Sequence, residues 1–233
     1  MWRRDDRLPW RGSRACGEVV FGEVVLEPTE CSVGSAERSS GSTECSVDLT
    51  ECSSSSTGCS VGPTELWTPN FDWITPTLAV GGAFPCDRTA GLVRDHGFGA
   101  LVDLREEACD DEVALAGFGV AFLHLPTEDM QPPTLESLER GVVFAERHLA
   151  RGSRVLIHCE HGIGRSAVLA LCVLSRQGHE PLAALQLAKD RRWRVSPSPT
   201  QYEGWARWLR HEGYEPPDFD TFQRIAYRHL ATT

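Results

Sequence analysis

The sequence predicts an α/β domain, a central and mostly parallel sheet flanked by helices, preceded by a disordered N-terminal extension. Three observations point there. Short apolar runs at Leu78–Val80, Ala100–Leu104, Ala121–Leu125 and Val155–His158 have the length of buried strands. Segments with helical periodicity stand between them, and strands alternating with helices form a parallel sheet, whose crossovers need the length of a helix. Residues 1–66, by contrast, carry too few apolar side chains to build a core.

The extension opens with a charged stretch, Met1-Trp-Arg-Arg-Asp-Asp-Arg7, and Glu23 breaks the apolar run Val19–Leu26, so no signal peptide is expected. From about Glu27 a loose repeat follows: Thr29-Glu-Cys-Ser-Val33, Thr43-Glu-Cys-Ser-Val47, Thr50-Glu-Cys-Ser53 and Gly58-Cys-Ser-Val61. Cys31, Cys45, Cys52 and Cys59 lack the close Cys-x2-Cys pairs of zinc sites, so a tandem-repeat tail is expected rather than a metal site. The domain is expected to begin at Trp67 and run to residue 212, with a helical tail over 213–233. Its opening segment brings three aromatics, Trp67, Phe71 and Trp73, that need burial.

After the strand Leu78–Val80, a helix over Asp87–Asp95 leads through Gly97 and Gly99 into the strand Ala100–Leu104. A polar segment, Arg105–Asp111, and a short helix lead to Ala121–Leu125. The prolines of Pro126–Pro133 make that stretch a loop at the sheet's carboxyl edge, where open α/β sheets collect ligands. Leu135, Leu138, Val142, Ala145 and Leu149 step by three and four, the pattern of an amphipathic helix that ends near Gly152. Beyond the strand Val155–His158, the apolar run Ala167–Leu174 reads as a buried helix that Gly178 ends. Pro181 starts another, with Leu182, Leu185 and Ala188 on one face. Arg191, Arg192 and Arg194 follow; capping a helix end is favoured over drawing in acidic substrates. A helix from Thr200 carries Gln201, Tyr202, Trp205 and Trp208. After Pro216-Pro217, Phe219, Phe222, Ile225, Ala226 and Leu230 share a face that is expected to pack on the domain.

The chemistry lies in Cys159-Glu160-His161-Gly162-Ile163-Gly164-Arg165-Ser166, between strand and buried helix. Inward-facing loop amides and the unpaired donors of the helix's first turn make an anion site. Gly162 and Gly164 permit backbone conformations that a side chain forbids, and Arg165 offers a planar fork for two phosphate oxygens. A thiol at the mouth of such a loop titrates at roughly 3.5–7.5 instead of about 8.5, so Cys159 is expected to be a thiolate nucleophile. Cleavage of a phosphate ester also needs a proton for the departing oxygen. Asp129 is the candidate acid and Glu128 its rival. Ser166, beside Arg165, can donate its hydroxyl to the sulfur when Cys159 leaves.

The string His158-Cys159-x-x-Gly162-x-Gly164-Arg165-Ser166 resembles the signature of the cysteine-based protein tyrosine phosphatases. The similarity runs from Phe71 to Leu209, an extent that resembles the dual-specificity subgroup, and the opening segment is similar to that of its small bacterial members. The resemblance implies hydrolysis of phosphotyrosine and of phosphoserine or phosphothreonine in proteins through a phosphocysteine intermediate. Pro126-x-x-Asp129 matches the placement of that subgroup's general acid. His158 is implied to order the loop and influence the thiolate, and Glu160, His161, Gly162, Ile163, Gly164 and Arg165 to bind the phosphate, the side chains of Glu160 and His161 pointing outward at the pocket rim. No metal and no cofactor are implied, because Arg165 and the backbone donors supply the positive charge.

Composition bounds the partners. The net charge of -10 argues against nucleic acid and an anionic membrane surface, and no window of about 18 apolar residues spans a membrane. Nine cysteines, an odd count that includes the nucleophile, fit a reducing compartment, so a cytoplasmic monomer acting on a phosphorylated protein is expected. Alternatives are a phosphoinositide or phosphosugar phosphatase and a catalytically weak phosphate-binding module. A thiol-relay arsenate reductase is disfavoured, since Cys172 lies about 20 Å further along the helix. Cys86 and Cys109 are candidate partners for reversible oxidation of Cys159.

Overall fold

The computed structural model describes residues 67–230. The expected disordered extension, and the metal-site alternative weighed for its cysteines, lie outside them.

The described chain forms one five-stranded sheet and seven α-helices. In chain order these are β1 (Phe71–Trp73), β2 (Leu78–Gly81), α1 (Thr89–His96), β3 (Phe98–Arg105), α2 (Glu112–Gly117), β4 (Ala121–Thr127), α3 (Leu135–Leu149), β5 (Arg154–His158), α4 (Arg165–Arg176), α5 (Pro181–Arg191), α6 (Pro199–His211) and α7 (Phe219–Ala226). Strand order is β1-β2-β5-β3-β4. Every pairing is parallel except β1 with β2. The mixed sheet therefore agrees with the expected one, and β5, which ends in His158, lies at its centre.

Side-chain alternation explains the two-sided core. Leu78, Val80, Ala100, Val102, Val155 and Ile157 point to the face covered by α3 and α4, on which α5 and α6 pack in turn. Ala79, Leu101 and Leu156 point to the opposite face, where Leu92 of α1 and Leu115 of α2 cover them. Helix α4 is buried on all sides from Ala167 to Leu174, as its unbroken apolar run requires. Full burial of each leucine or valine there is worth about 1.5–3 kcal/mol. Phe222 and Ala226 of α7 belong to the same core, so the C-terminal helix packs on the domain.

Four local differences from the sequence reading have physical causes. β1 is an added antiparallel edge strand, whose Phe71 and Trp73 rings pack on Phe98 at 5.2 and 5.1 Å. The helix expected from Asp87 is a 3-10 turn, Cys86–Arg88, before α1 begins at Thr89. Gly97 closes α1 at φ 67°, which lets β3 start at Phe98 instead of Ala100. β4 runs past Pro126 to Thr127, because an edge strand has no neighbour there that needs the missing N–H.

Candidate active site

β5 delivers His158 to the sheet's carboxyl edge, and the chain then turns through Cys159–Gly164 before α4 begins at Arg165. Gly162 sits at φ 68°, and a Cβ there would run into the backbone of Gly81 and the guanidinium of Arg192. Gly164 presses just as closely on the Gln201 amide. These contacts fold the loop tightly around the Cys159 sulfur, whose residue is 3% exposed. The Gly162 N–H donates to Sγ at 3.3 Å, and Ser166 Oγ lies 3.3 Å from it. Both groups favour an anionic sulfur and, at the other end of a reaction, a departing one.

Arg165 is 1% exposed; its two Nη groups are engaged, while its buried Nε–H has no partner among the described residues. Nη1 and Nη2 donate to the two carboxylate oxygens of Glu107, each at 2.8 Å, and Nη1 also donates to the Thr127 carbonyl at 2.8 Å. Asp129 Oδ1 is 3.3 Å from Nη2. Burial works against the arginine's charge, but the bonds to Glu107 and the fields of Cys159, Glu107 and Asp129 more than offset it and raise its pKa. In return the hydrogen bonds from Arg165 hold the Glu107 carboxyl down at about 2. The fork is thus aimed before any substrate arrives. A cavity of about 100 Å³ opens over the sulfur, lined by Asp129, Met130, Cys159, His161, Ile163, Gly164, Ser196, Ser198 and Gln201.

Beneath the loop lies a second, buried charge network. His158 Nε2 bonds Asp110 Oδ2 at 2.8 Å, and Arg105 bridges Asp110 at 2.6 Å and Asp103 at 2.9 Å. Burial opposes ionisation of Asp110, but the bond to His158 and the nearby Arg105 lower its pKa below the ordinary value. The donor groups of Asp103, Asp110 and His158 come within 4.8 Å of one another, as a metal site requires. The Arg105 guanidinium already engages both carboxylates, so this set does not fit a cation. On the loop's other side Arg192, 2% exposed, donates to the carbonyls of Gly162 at 2.7 Å and His161 at 3.1 Å. Its remaining donors reach Asp72 at 2.7 Å and Asn70 at 2.9 Å. Arg192 thus ties down two of the loop's carbonyls from outside, a third being taken by the Ser196 N–H.

Cys159, Ile163, Gly164 and Asp129 line one cavity with His161, while Ser166 and Gly162 stand behind it on the sulfur and Arg165 beside it on Asp129. Asp129 lines the cavity and Glu128 does not. Glu160 is exposed with its carboxylate 3.8 Å from Arg105, and His161 is exposed at the rim. Gln201, kept apart from the catalytic set in the sequence reading, is buried and lines the cavity. Arg192 neither draws in substrate at the surface nor spends its side chain on a helix end. It lies within the domain, while Arg191 and Arg194 are exposed. Sequence reasoning missed Glu107, Asp110 and Arg192. The first two lie in the polar segment after β3, where a buried arginine on the adjacent loop should have prompted a search for its carboxylate. Cys109 is an exposed free thiol whose pKa is raised by burial and by Asp103 and Asp110, and burial raises that of Cys172 far more.

Residues 81–179 match the model of a family described as "Polymorphic toxin system, DSP-PTPase phosphatase". The human phosphatidylglycerophosphatase and protein-tyrosine phosphatase 1 is 33% identical over 112 residues, which cover 44% of this chain and 56% of that protein. The chain thus spans little more than half the length of the human relative. The rat protein of the same name is 31% identical over 142 residues, 57% of this chain and 74% of that one. The crystal structure of PTPMT1 in complex with PI(5)P superposes with a TM-score of 0.57 at 26% identity, over 60% of this chain and 95% of that one. Taken with a cysteine, an arginine and an aspartate converging on one anion pocket, this similarity means that the chain belongs to the dual-specificity subgroup of the cysteine-based protein tyrosine phosphatases, a family of phosphoric monoester hydrolases.

Proposed function

We propose that the chain hydrolyses phosphate monoesters in two displacements at Cys159. In the first, the Cys159 thiolate forms a bond to phosphorus in line as the ester P–O bond breaks, and Asp129 gives its proton to the departing oxygen. In the second, Asp129 takes a proton from water as its oxygen bonds to phosphorus. The S–P bond then breaks, and the Ser166 hydroxyl supports the returning thiolate. Arg165 and the loop amides hold the charge on the equatorial oxygens through both steps. The observation that carries this reading is the sulfur held 3.3 Å from both the Gly162 amide and the Ser166 hydroxyl, beside a guanidinium locked by Glu107. Cys159→Ser should abolish turnover of p-nitrophenyl phosphate while vanadate still binds. Turnover near that of the unsubstituted chain would refute the covalent route.

The substrate we favour is a phosphorylated protein, bearing phosphotyrosine, phosphoserine or phosphothreonine, met by a monomer in a reducing cytoplasm. The pocket surroundings support this over a polyanionic lipid headgroup. Glu107, Asp129 and Glu160 are exposed carboxylates around the site, and no lysine or arginine precedes Arg165 within the loop. The second reading, a phospholipid phosphatase, draws on the relatives' names, phosphatidylglycerophosphatase and the PI(5)P complex of PTPMT1. Phosphopeptides, phosphoinositides and phosphatidylglycerophosphate assayed side by side separate the two. A kcat/KM on phospholipid about a hundredfold above that on any phosphopeptide would overturn the protein reading.

A further inference from the structure

Lys189, on α5, is 1% exposed and takes no part in the chemistry above. Its ammonium donates to the Val195 carbonyl at 2.8 Å, to Ser196 Oγ at 3.2 Å and to His229 Nδ1 at 2.8 Å. An ammonium has three donors and no acceptor, so the three contacts saturate it, and His229 must carry its own proton on Nε2. Burial, with Arg228 nearby, lowers the lysine's pKa to about 8, so the charged form and all three donors persist at neutral pH. A buried cation is costly, and a structural role alone is met as well by an apolar side chain.

The partners of Lys189 bridge two parts of the molecule. His229 belongs to the C-terminal segment, whereas Val195 and Ser196 belong to the stretch before α6. Two further bonds join the same parts: Ser196 Oγ donates to the Ala226 carbonyl at 3.1 Å, and the Tyr227 hydroxyl donates to the Pro197 carbonyl at 2.7 Å. From that stretch, bonds continue to the catalytic loops. The Ser196 N–H donates to the Ile163 carbonyl in the phosphate loop at 3.0 Å. Ser198 Oγ donates to the Met130 carbonyl at 3.0 Å, and Gln201 Nε2 to the Gln131 carbonyl at 3.2 Å, both just past Asp129. Met130 holds φ 63°, a left-handed conformation that a side chain adopts only when its surroundings impose it.

We propose that Lys189 is a positioning residue for the phosphatase reaction: it ties the C-terminal segment to residues 195–197, and that wall holds the acid loop and the phosphate loop in register. The proposal rests on the phosphatase reading and adds to it a part of the chain that reaches the pocket only through other residues. Asp129 is mostly exposed and stands on the loop that Ser198 and Gln201 hold. Loosening the wall therefore displaces the acid more than the sulfur, which has its own amide and hydroxyl partners.

The test compares Lys189→Met, Tyr227→Phe and the double variant with the unsubstituted chain, each first shown to be folded by circular dichroism. Turnover of p-nitrophenyl phosphate and of an alkyl phosphate, a phosphoserine peptide, is measured together with vanadate inhibition. Backbone hydrogen exchange is followed at residues 129–131 and at Val195, Ser196 and Ser198. Lys189→Met is expected to lower kcat on the alkyl ester about tenfold and on the aryl ester about twofold, leaving the vanadate inhibition constant within about twofold. Exchange at 129–131 quickens, and the double variant loses no more than the worse single one, because both act through one wall. Equal losses on both esters, multiplying losses in the double variant, or unchanged exchange at 129–131 would each overturn the proposal. An unsubstituted chain that turns over neither ester sinks the phosphatase reading instead, and the exchange data still decide whether Lys189 holds the acid loop.

Discussion

Asp129 and Glu107 are two carboxylates on one guanidinium with opposite tasks. Asp129 lines the cavity and in the proposed mechanism lends a proton, whereas Glu107 grips Arg165 through both oxygens. Asp129→Ala should therefore slow an alkyl phosphate about 10²–10³-fold and an aryl phosphate much less, since an aryl leaving group needs less protonation. The same pattern in Glu128→Ala instead would transfer the acid's role to Glu128. The Glu107 carboxyl titrates at about 2 in the folded chain against an ordinary value of 4.5. Its ion-pair contribution to stability is complete above about pH 4.5 and drains away as pH falls toward 2. Glu107→Gln should flatten the acid limb of the stability curve, followed by chemical denaturation across that window, and lower kcat/KM about tenfold at neutral pH. An unchanged acid limb would show that the pair adds nothing to the fold. That Cys159 and Arg165 stand side by side was legible because one short string carries both, and the place of Asp129 beside them was expected from Pro126-x-x-Asp129. Glu107 and Asp110 could not be read in this way, because their partners lie 58 and 48 positions away and meet them only across the sheet edge.

At the scale of elements, the phosphate loop is shaped by packing as much as by its own residues. Gly162→Ala forces a side chain into a left-handed position, about 1–2 kcal/mol for the backbone alone, and drives Cβ against Gly81. The expected result is loss of vanadate binding and of kcat/KM by about a hundredfold or more in a protein that melts at lower temperature. Retention of both would mean that the loop adapts without cost. Helices α3 to α7 were legible from apolar periodicity and their proline and glycine punctuation. β1 was not, because Phe71-Asp72-Trp73 is too short for alternation to show, and its role as an edge strand depends on β2. The extension of β4 through Pro126 was hidden for a related reason: proline reads as a loop until the strand is known to stand at an edge.

Across the whole molecule, alternating strands and helices put three loops at the carboxyl edge of one sheet, and the site is assembled around them. The loops after β3, β4 and β5 supply Glu107, Asp129 and Cys159, while the segment before α6 walls the pocket and the C-terminal helix braces that segment from behind. In the proposed mechanism the positive charge that the transition state needs comes from Arg165, the loop amides and the start of α4. Activity should consequently persist in full with EDTA present, and a chelator-sensitive rate would contradict that division of labour. What the sequence alone conveyed least was the support behind the site. Arg192 and Lys189 look like members of a solvated basic run, and only the fold places one under the phosphate loop and the other between the C-terminal segment and the pocket wall. The most direct measurement is rapid acid quenching of the chain mixed with a ³²P-labelled phosphate ester. A burst of label bound covalently to Cys159, absent in Cys159→Ser, is the result expected. Undiminished hydrolysis with no label on the protein at any time would contradict the account.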